Sequence, residues 1–178
     1  MIDIIKKFEG LKLKAYLCPS GIPTIGYGTT VYPDGKKVKL GDNITIQQAN
    51  EYFAHHINNQ IVPQLEKIPT WYKLNNNQKK AIISFAYNLG EYFYNSSNFN
   101  SISQLLNQPE LWSNKTEVKR VFGLYIKGDG KILEGLVTRR KAEADLFLTP
   151  IKSNKGNVSM TYELIFSQHF DREKGLDY

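Results

Sequence analysis

Phe8-Glu9-Gly10-Leu11-Lys12-Leu13-Lys14-Ala15-Tyr16, followed by Thr24-Ile25-Gly26-Tyr27-Gly28, holds the change of period that decides the fold. Upstream of it, Ile2, Ile5 and Phe8 recur every three residues. That spacing predicts a helix over residues 2–9, stopped at Gly10. From Leu11 the apolar residues alternate instead: Leu11, Leu13, Ala15 and Leu17 against Lys12, Lys14 and Tyr16, which predicts a strand. Cys18-Pro19-Ser20-Gly21 is a turn, and residues 22–27 return as a second strand. Pro33-Asp34-Gly35 makes another turn, with a third short strand over 38–40. A small antiparallel sheet rich in Gly and Thr therefore follows the first helix.

Beyond the sheet the pattern is helical. Thr45 with Gln48 fits a capping box, and Ile46, Ala49, Phe53, His56 and Ile57 share one face. Pro63 and Pro69 interrupt the chain. Asn75-Asn76-Asn77 opens a helix carrying Ala81, Ile82, Phe85, Ala86 and Leu89, with Gly90 as its stop. Residues 101–106 and 116–122 are further helices, Gly128-Asp129-Gly130 is a turn, and 136–148 is a helix with Arg139–Glu143 and Lys141–Asp145 at spacing four. One small sheet and many helices make an α+β fold. Ser153-Asn154-Lys155-Gly156-Asn157 reads as a linker. It separates residues 1–150, with a sheet lobe at about 11–44, from an extension over 151–178 whose role the sequence does not assign.

The 178 residues include 22 aromatic ones and are 41% apolar, enough for a substantial core. No run of apolar residues is long enough to span a membrane, and the charges at Asp3, Lys6 and Lys7 do not suit a signal peptide. The single cysteine, Cys18, excludes an internal disulfide and a multi-cysteine zinc site. The net charge of +6, all of it before residue 151, favours an anionic partner such as nucleic acid, anionic lipid or bacterial cell wall.

Glu9 ends an apolar helix face just before the strand. Partial burial and the negative end of a helix both disfavour an anion there, and a protonated carboxyl can donate to a leaving oxygen. At this point the sequence resembles a known family. Glu9 to Tyr16 with Thr24 to Gly28 is similar to the phage-type lysozymes of glycoside hydrolase family 24, the T-even and lambdoid phage endolysins. Asn77-Gln78 with Ala81 and Ser84-Phe85-Ala86-Tyr87-Asn88-Leu89-Gly90 is similar to the family's central helix, and Gly135-Leu136-Val137-Thr138-Arg139-Arg140-Lys141-Ala142-Glu143 to its later arginine helix.

The resemblance implies a two-lobed, lysozyme-like fold that cleaves the β-1,4 bond between N-acetylmuramic acid and N-acetylglucosamine. In the family a Glu is followed after eight residues usually by an Asp, in some members by a Cys, and after five more by a Thr. Here these positions hold Glu9, Cys18 and Thr24. Glu9 is then the general acid and Thr24 orients the attacking water. Cys18 stands where the Asp supplies negative charge. A thiol does so only as thiolate, and Lys12 or Lys14 is a candidate to favour that form. Inverting water attack, a covalent thioether with retention, and a spectator thiol all stay open. By resemblance, Arg139 orients Glu9, and Thr30, Tyr87, Asn88 and Ser101 line the sugar site. Thr29 stands where many relatives have His. The resemblance implies no cofactor and no metal.

The implied partner is peptidoglycan, met as a monomer. The implied route is accumulation in a host cytoplasm, release to the wall through a holin pore, and lysis, with no nucleic acid bound and no membrane insertion. Two other readings remain: a lytic transglycosylase leaving 1,6-anhydro ends, and a wall-binding module without activity. His55 and His56 are adjacent and diverge by about 100° on a helix, so they do not chelate one metal. His56 reads as a core residue, and His169 has no assigned part. Gly26-x-Gly28 lacks the rest of a phosphate loop. Lys36-Lys37-x-Lys39 reads as a solvated turn, and Arg139-Arg140-Lys141 with Glu143 and Asp145 as a salt-bridged helix surface.

Overall fold

A computed structural model describes residues 3–151. Residues 152–178, which hold most of the sequence's proposed extension and His169, lie outside the described residues, as does Ile2. Helix α1 (Asp3–Glu9) buries Ile5 and ends at Gly10. Strands β1 (Lys12–Leu17) and β2 (Pro23–Gly26) pair antiparallel, with Tyr16 opposite Thr24 and an irregularity between Lys12 and Tyr16.

The expected third strand over 38–40 does not form. Val38 instead donates its N–H to Thr30 and packs into a small cluster with Ala15 and Ile25. The outer edge of β1 is taken by residues 42–44: Ala15 N–H donates to Asp42 O and Ile44 N–H to Leu13 O, both at 2.9 Å. The alternation along β1 also buries less than a half-covered strand should. Only Ala15 of β1 is buried, because the sheet is two strands wide and its small core is filled largely by Ile25 and Val38 from outside this strand.

Helix α2 (Ile46–His56) starts at the expected capping box, in which Thr45 and Gln48 satisfy each other's backbone N–H. Ala49, Phe53 and Ile57 are buried, whereas Ile46 is exposed. Pro63 does not break the chain. A π-helical turn, Ile57–Ile61, leads directly into α3 (Val62–Leu65), and Pro63 falls where the wider π pattern gives way to the α-helix.

Helix α4 (Asn76–Leu89) is the central element. Asn75 and Gln78 cap it reciprocally, and Ala81 through Ala86 are all buried. So continuous a buried run means helices pack on more than one side of it. Gly90 closes it with φ at +97°, a conformation that suits glycine alone. Around it stand α5 (Asn100–Asn107), α6 (Lys115–Phe122) and α7 (Glu134–Leu148), with a two-residue hairpin of β3 (Lys127–Gly128) and β4 (Lys131–Ile132) between the last two.

The salt-bridged surface expected of α7 is half inverted. Arg139, Arg140 and Glu143 are buried together with Ala144 and Phe147. Asp145 pairs across to Lys119 of α6, at 3.1 Å, rather than to Lys141. The main core is one cluster running from Ile5 to Phe147, and the sheet lobe has its own small cluster; Ile44 packs against both. Two cores of unequal size give the two lobes of an α+β, lysozyme-like architecture.

Phe85 is the aromatic centre of the larger core. Its ring meets Phe93, Phe99, Phe122 and Tyr125 edge-on at 5.1–6.1 Å, and the Arg140 guanidinium lies 4.8 Å from its centroid. Phe85→Ala is expected to destabilise the fold by about 3–5 kcal/mol, read as a lower denaturant midpoint at unchanged slope. A loss under about 1 kcal/mol would remove Phe85 from the centre of the core.

Candidate active site

The end of α1 brings Glu9 to α7 across 130 positions of sequence. Arg139 Nη1 donates to Glu9 Oε1 at 2.6 Å. The Arg139 side chain is 5% exposed and that of Glu9 24%, so the carboxyl is held from the buried side and open on the other. Three more contacts fix the guanidinium: Nη2 donates to Ser84 O at 3.1 Å, Nε to Glu143 Oε1 at 3.2 Å, and its carbon lies 5.6 Å from the Phe8 ring. Such a charge-assisted, multiply anchored pair fixes both position and orientation.

The loop after β2 passes beside the carboxyl. Gly28 has φ at +104°, and a Cβ built there would lie 3.7 Å from Tyr87 Oη and 3.9 Å from Glu9 Oε2. The bare backbone thus passes close to the carboxyl and takes a shape that a side chain would strain. Tyr87 donates its hydroxyl to Tyr27 O at 2.6 Å. Burial, with the Glu9 charge second, pushes its phenol well above the ordinary range.

Cys18 and Thr24 sit at the tip of the same hairpin. The Cys18 thiol is pushed down, first by the backbone N–H of Ile22 and then by the Ser20 N–H and the Thr24 and Ser20 hydroxyls, while slight burial opposes. The turn's own donors produce the lowering, rather than Lys12 or Lys14. The Thr24 side chain is buried and its hydroxyl donates to Ile22 O at 2.9 Å. It carries one proton, so it favours a sulfur anion only by turning from Ile22 O toward Cys18.

Thr30 and Tyr87 line a second space of about 300 Å³, together with Gly28, His55, His56 and Gln60. His56 corrects the sequence reading here. It is half-exposed, its Nδ1 shares a hydrogen bond with Gln60 Oε1 at 2.8 Å, and its ring meets Tyr87 edge-on. Asn88 accepts from Arg140 Nη2 at 3.0 Å. Ser101, in the first turn of α5, enters none of these groups. Glu9, Arg139, Gly28 and Tyr87 therefore form one cluster and Cys18 with Thr24 another, while Thr30 and Asn88 each join through a neighbour.

The carboxyl of Glu9 is thus fixed by a buried guanidinium, beside the bare backbone of Gly28 and the Tyr87 hydroxyl. Residues 6–143 match the phage lysozyme family. The chain belongs to that family. It is 33% identical over 147 residues to an endolysin of Acyrthosiphon pisum secondary endosymbiont phage 1, covering 81% of this chain and 92% of the relative. The solved endolysin of Escherichia coli O157:H7 phage FAHEc1 is similar at 33% identity and a TM-score of 0.65, covering 83% of this chain and 89% of that one. The muramidase domain of SpmX from Asticcacaulis excentricus is 26% identical with a TM-score of 0.61, covering 84% and 95%. The chain is thus a lysozyme-type hydrolase that lyses peptidoglycan.

Three residues central to the geometry were not singled out for it by sequence. Ser84 belongs to the stretch that resembles the family's central helix, and the charges of Arg140 and Glu143 predict a helix surface. The available signal was their spacing: residues 139, 140 and 143 share one side of a helix, where an arginine pair and one acid close on each other.

The donors around Cys18 lead to a direct measurement. The pH midpoint of iodoacetamide alkylation is expected below that of a free cysteine, since a lowered thiol is thiolate at lower pH. Thr24→Val should move it back upward. An ordinary midpoint in the unaltered protein would remove the turn's donors as the cause.

Proposed function

We propose that this lysozyme-type hydrolase cleaves the β-1,4 bond between N-acetylmuramic acid and N-acetylglucosamine, with Glu9 as general acid. The single observation carrying this reading is the 2.6 Å Arg139–Glu9 pair, in which the acid is anchored yet 24% exposed. Proton donation to a glycosidic oxygen requires a carboxyl placed within hydrogen-bond reach and held there. Thr24 and Cys18 position or activate the water. The lowered thiol supports a share of negative charge at the place of the family's Asp. Thr30, Tyr87, Asn88 and Ser101 bind sugar, and Arg139 orients Glu9.

Peptidoglycan is an anionic polymer, in keeping with the excess of basic residues. Among the described residues no helix is long and apolar enough to cross a membrane. Release to the wall through a holin pore, and action as a monomer, complete the proposal. Residues 1–150 carry the catalysis.

The test is a digest of purified sacculi by the unaltered protein and by Glu9→Gln. Reducing-end N-acetylmuramic acid is expected from the first, with at least a ~10³-fold loss in the second. Products ending in 1,6-anhydro sugar would make the chain a transglycosylase, and equal products from both proteins would remove Glu9 as the acid.

A further inference from the structure

The buried group behind Glu9 reaches a second part of the site. Glu143 has no exposed side-chain surface, and its Oε1 accepts from three residues: Ser84 Oγ at 2.6 Å, Arg140 Nη2 at 3.1 Å and Arg139 Nε at 3.2 Å. Its Oε2 lies 2.8 Å from Arg140 Nε, an ion contact without good hydrogen-bond alignment. Charges therefore alternate along one line: Glu9, Arg139, Glu143, Arg140. The line ends at Asn88, because Arg140 Nη2, the atom that touches Glu143 Oε1, also donates to Asn88 Oδ1 at 3.0 Å.

Both ends of this line are half-buried polar groups, and its middle is closed to water. A guanidinium only donates hydrogen bonds, so the Asn88 oxygen must face Arg140 and its NH2 must face away. Asn88 then presents a donor pair of fixed sense, which suits a sugar acceptor such as an acetamido carbonyl. Burial pushes Arg140 down to about 10, with Glu143 opposing, so the guanidinium is still a cation at neutral pH and still only donates.

We propose that Glu143 is a positioning residue for two parts of the active site at once: through Arg139 it places the carboxyl of Glu9, and through Arg140 it fixes the Asn88 amide as a donor to the glycan. This rests on the roles of Glu9 and Asn88 given above. Glu143 touches no substrate, and its effect reaches the reaction only through the two arginines.

The experiment measures kcat and KM of the full chain on a reducing-end-labelled tetrasaccharide of alternating N-acetylglucosamine and N-acetylmuramic acid. Arg140→Met is expected to raise KM about tenfold, with the effect on KM rather than kcat, and so is Asn88→Ala. Together they should raise KM little more than either alone, because they act on one contact. Glu143→Gln should lower kcat about a hundredfold and raise KM as well.

Ser84→Ala keeps every charge while loosening Glu143. It should show the same double effect at a few-fold, and it decides the matter where Glu143→Gln does not fold, with thermal melting as the check. Additive effects of Arg140→Met and Asn88→Ala, or folded Glu143→Gln and Ser84→Ala proteins with unchanged KM, would overturn the proposal. Full turnover by Glu9→Gln would instead overturn the reading of the site on which it rests.

Discussion

The ion pair between Glu9 and Arg139 is the constraint around which the molecule is arranged. It joins the first helix to the last across the central one, so α1, α4 and α7 must all be in place before it can close. A guanidinium can be buried only if its charge and its donors are met. Here Glu9, Ser84 and Glu143 meet them from three directions. The core around it is aromatic and tightly interlocked, and it holds the charged group at fixed distances. The small lobe adds what the large one lacks: a glycine-lined loop near the acid and a hairpin tip that carries a thiol and a hydroxyl.

The electrostatics divide into two regimes. Around Arg139 and Arg140 the charges are enclosed, and each depends on its neighbour. At the hairpin tip Cys18 lies near water and its donors belong to a short turn. The first arrangement supplies rigidity. In the second, the donors of the turn itself, the Ile22 N–H first, push the thiol of Cys18 down.

Much of this was legible in the residues. The change of period at Gly10 gives α1 and the hairpin, and the capping box at Thr45–Gln48 and the run Asn75-Asn76-Asn77 mark two helix starts, because each rests on local geometry. The third strand was misplaced because Val38 and Leu40 look like a strand, yet the hydrogen bonds to β1 come from residues 42–44, whose polar Asp42 and Asn43 hide the pairing. The inward face of α7 was illegible for a plainer reason. Hydrophobic periodicity finds a buried face by its apolar residues, and this one buries two arginines and a glutamate. His56 misled in the opposite sense, since it shares a helical stripe with core residues but stands at the edge of the protein, where Gln60 and Tyr87 meet it.

The 130 positions of sequence between the carboxyl and its guanidinium have a consequence during synthesis. A ribosome delivers Glu9 early and Arg139 late. A nascent chain that has extruded the hairpin, α2 and α4 still lacks the partner that fixes the carboxyl. A piece of the chain that ends before α7 therefore lacks the guanidinium that holds this carboxyl.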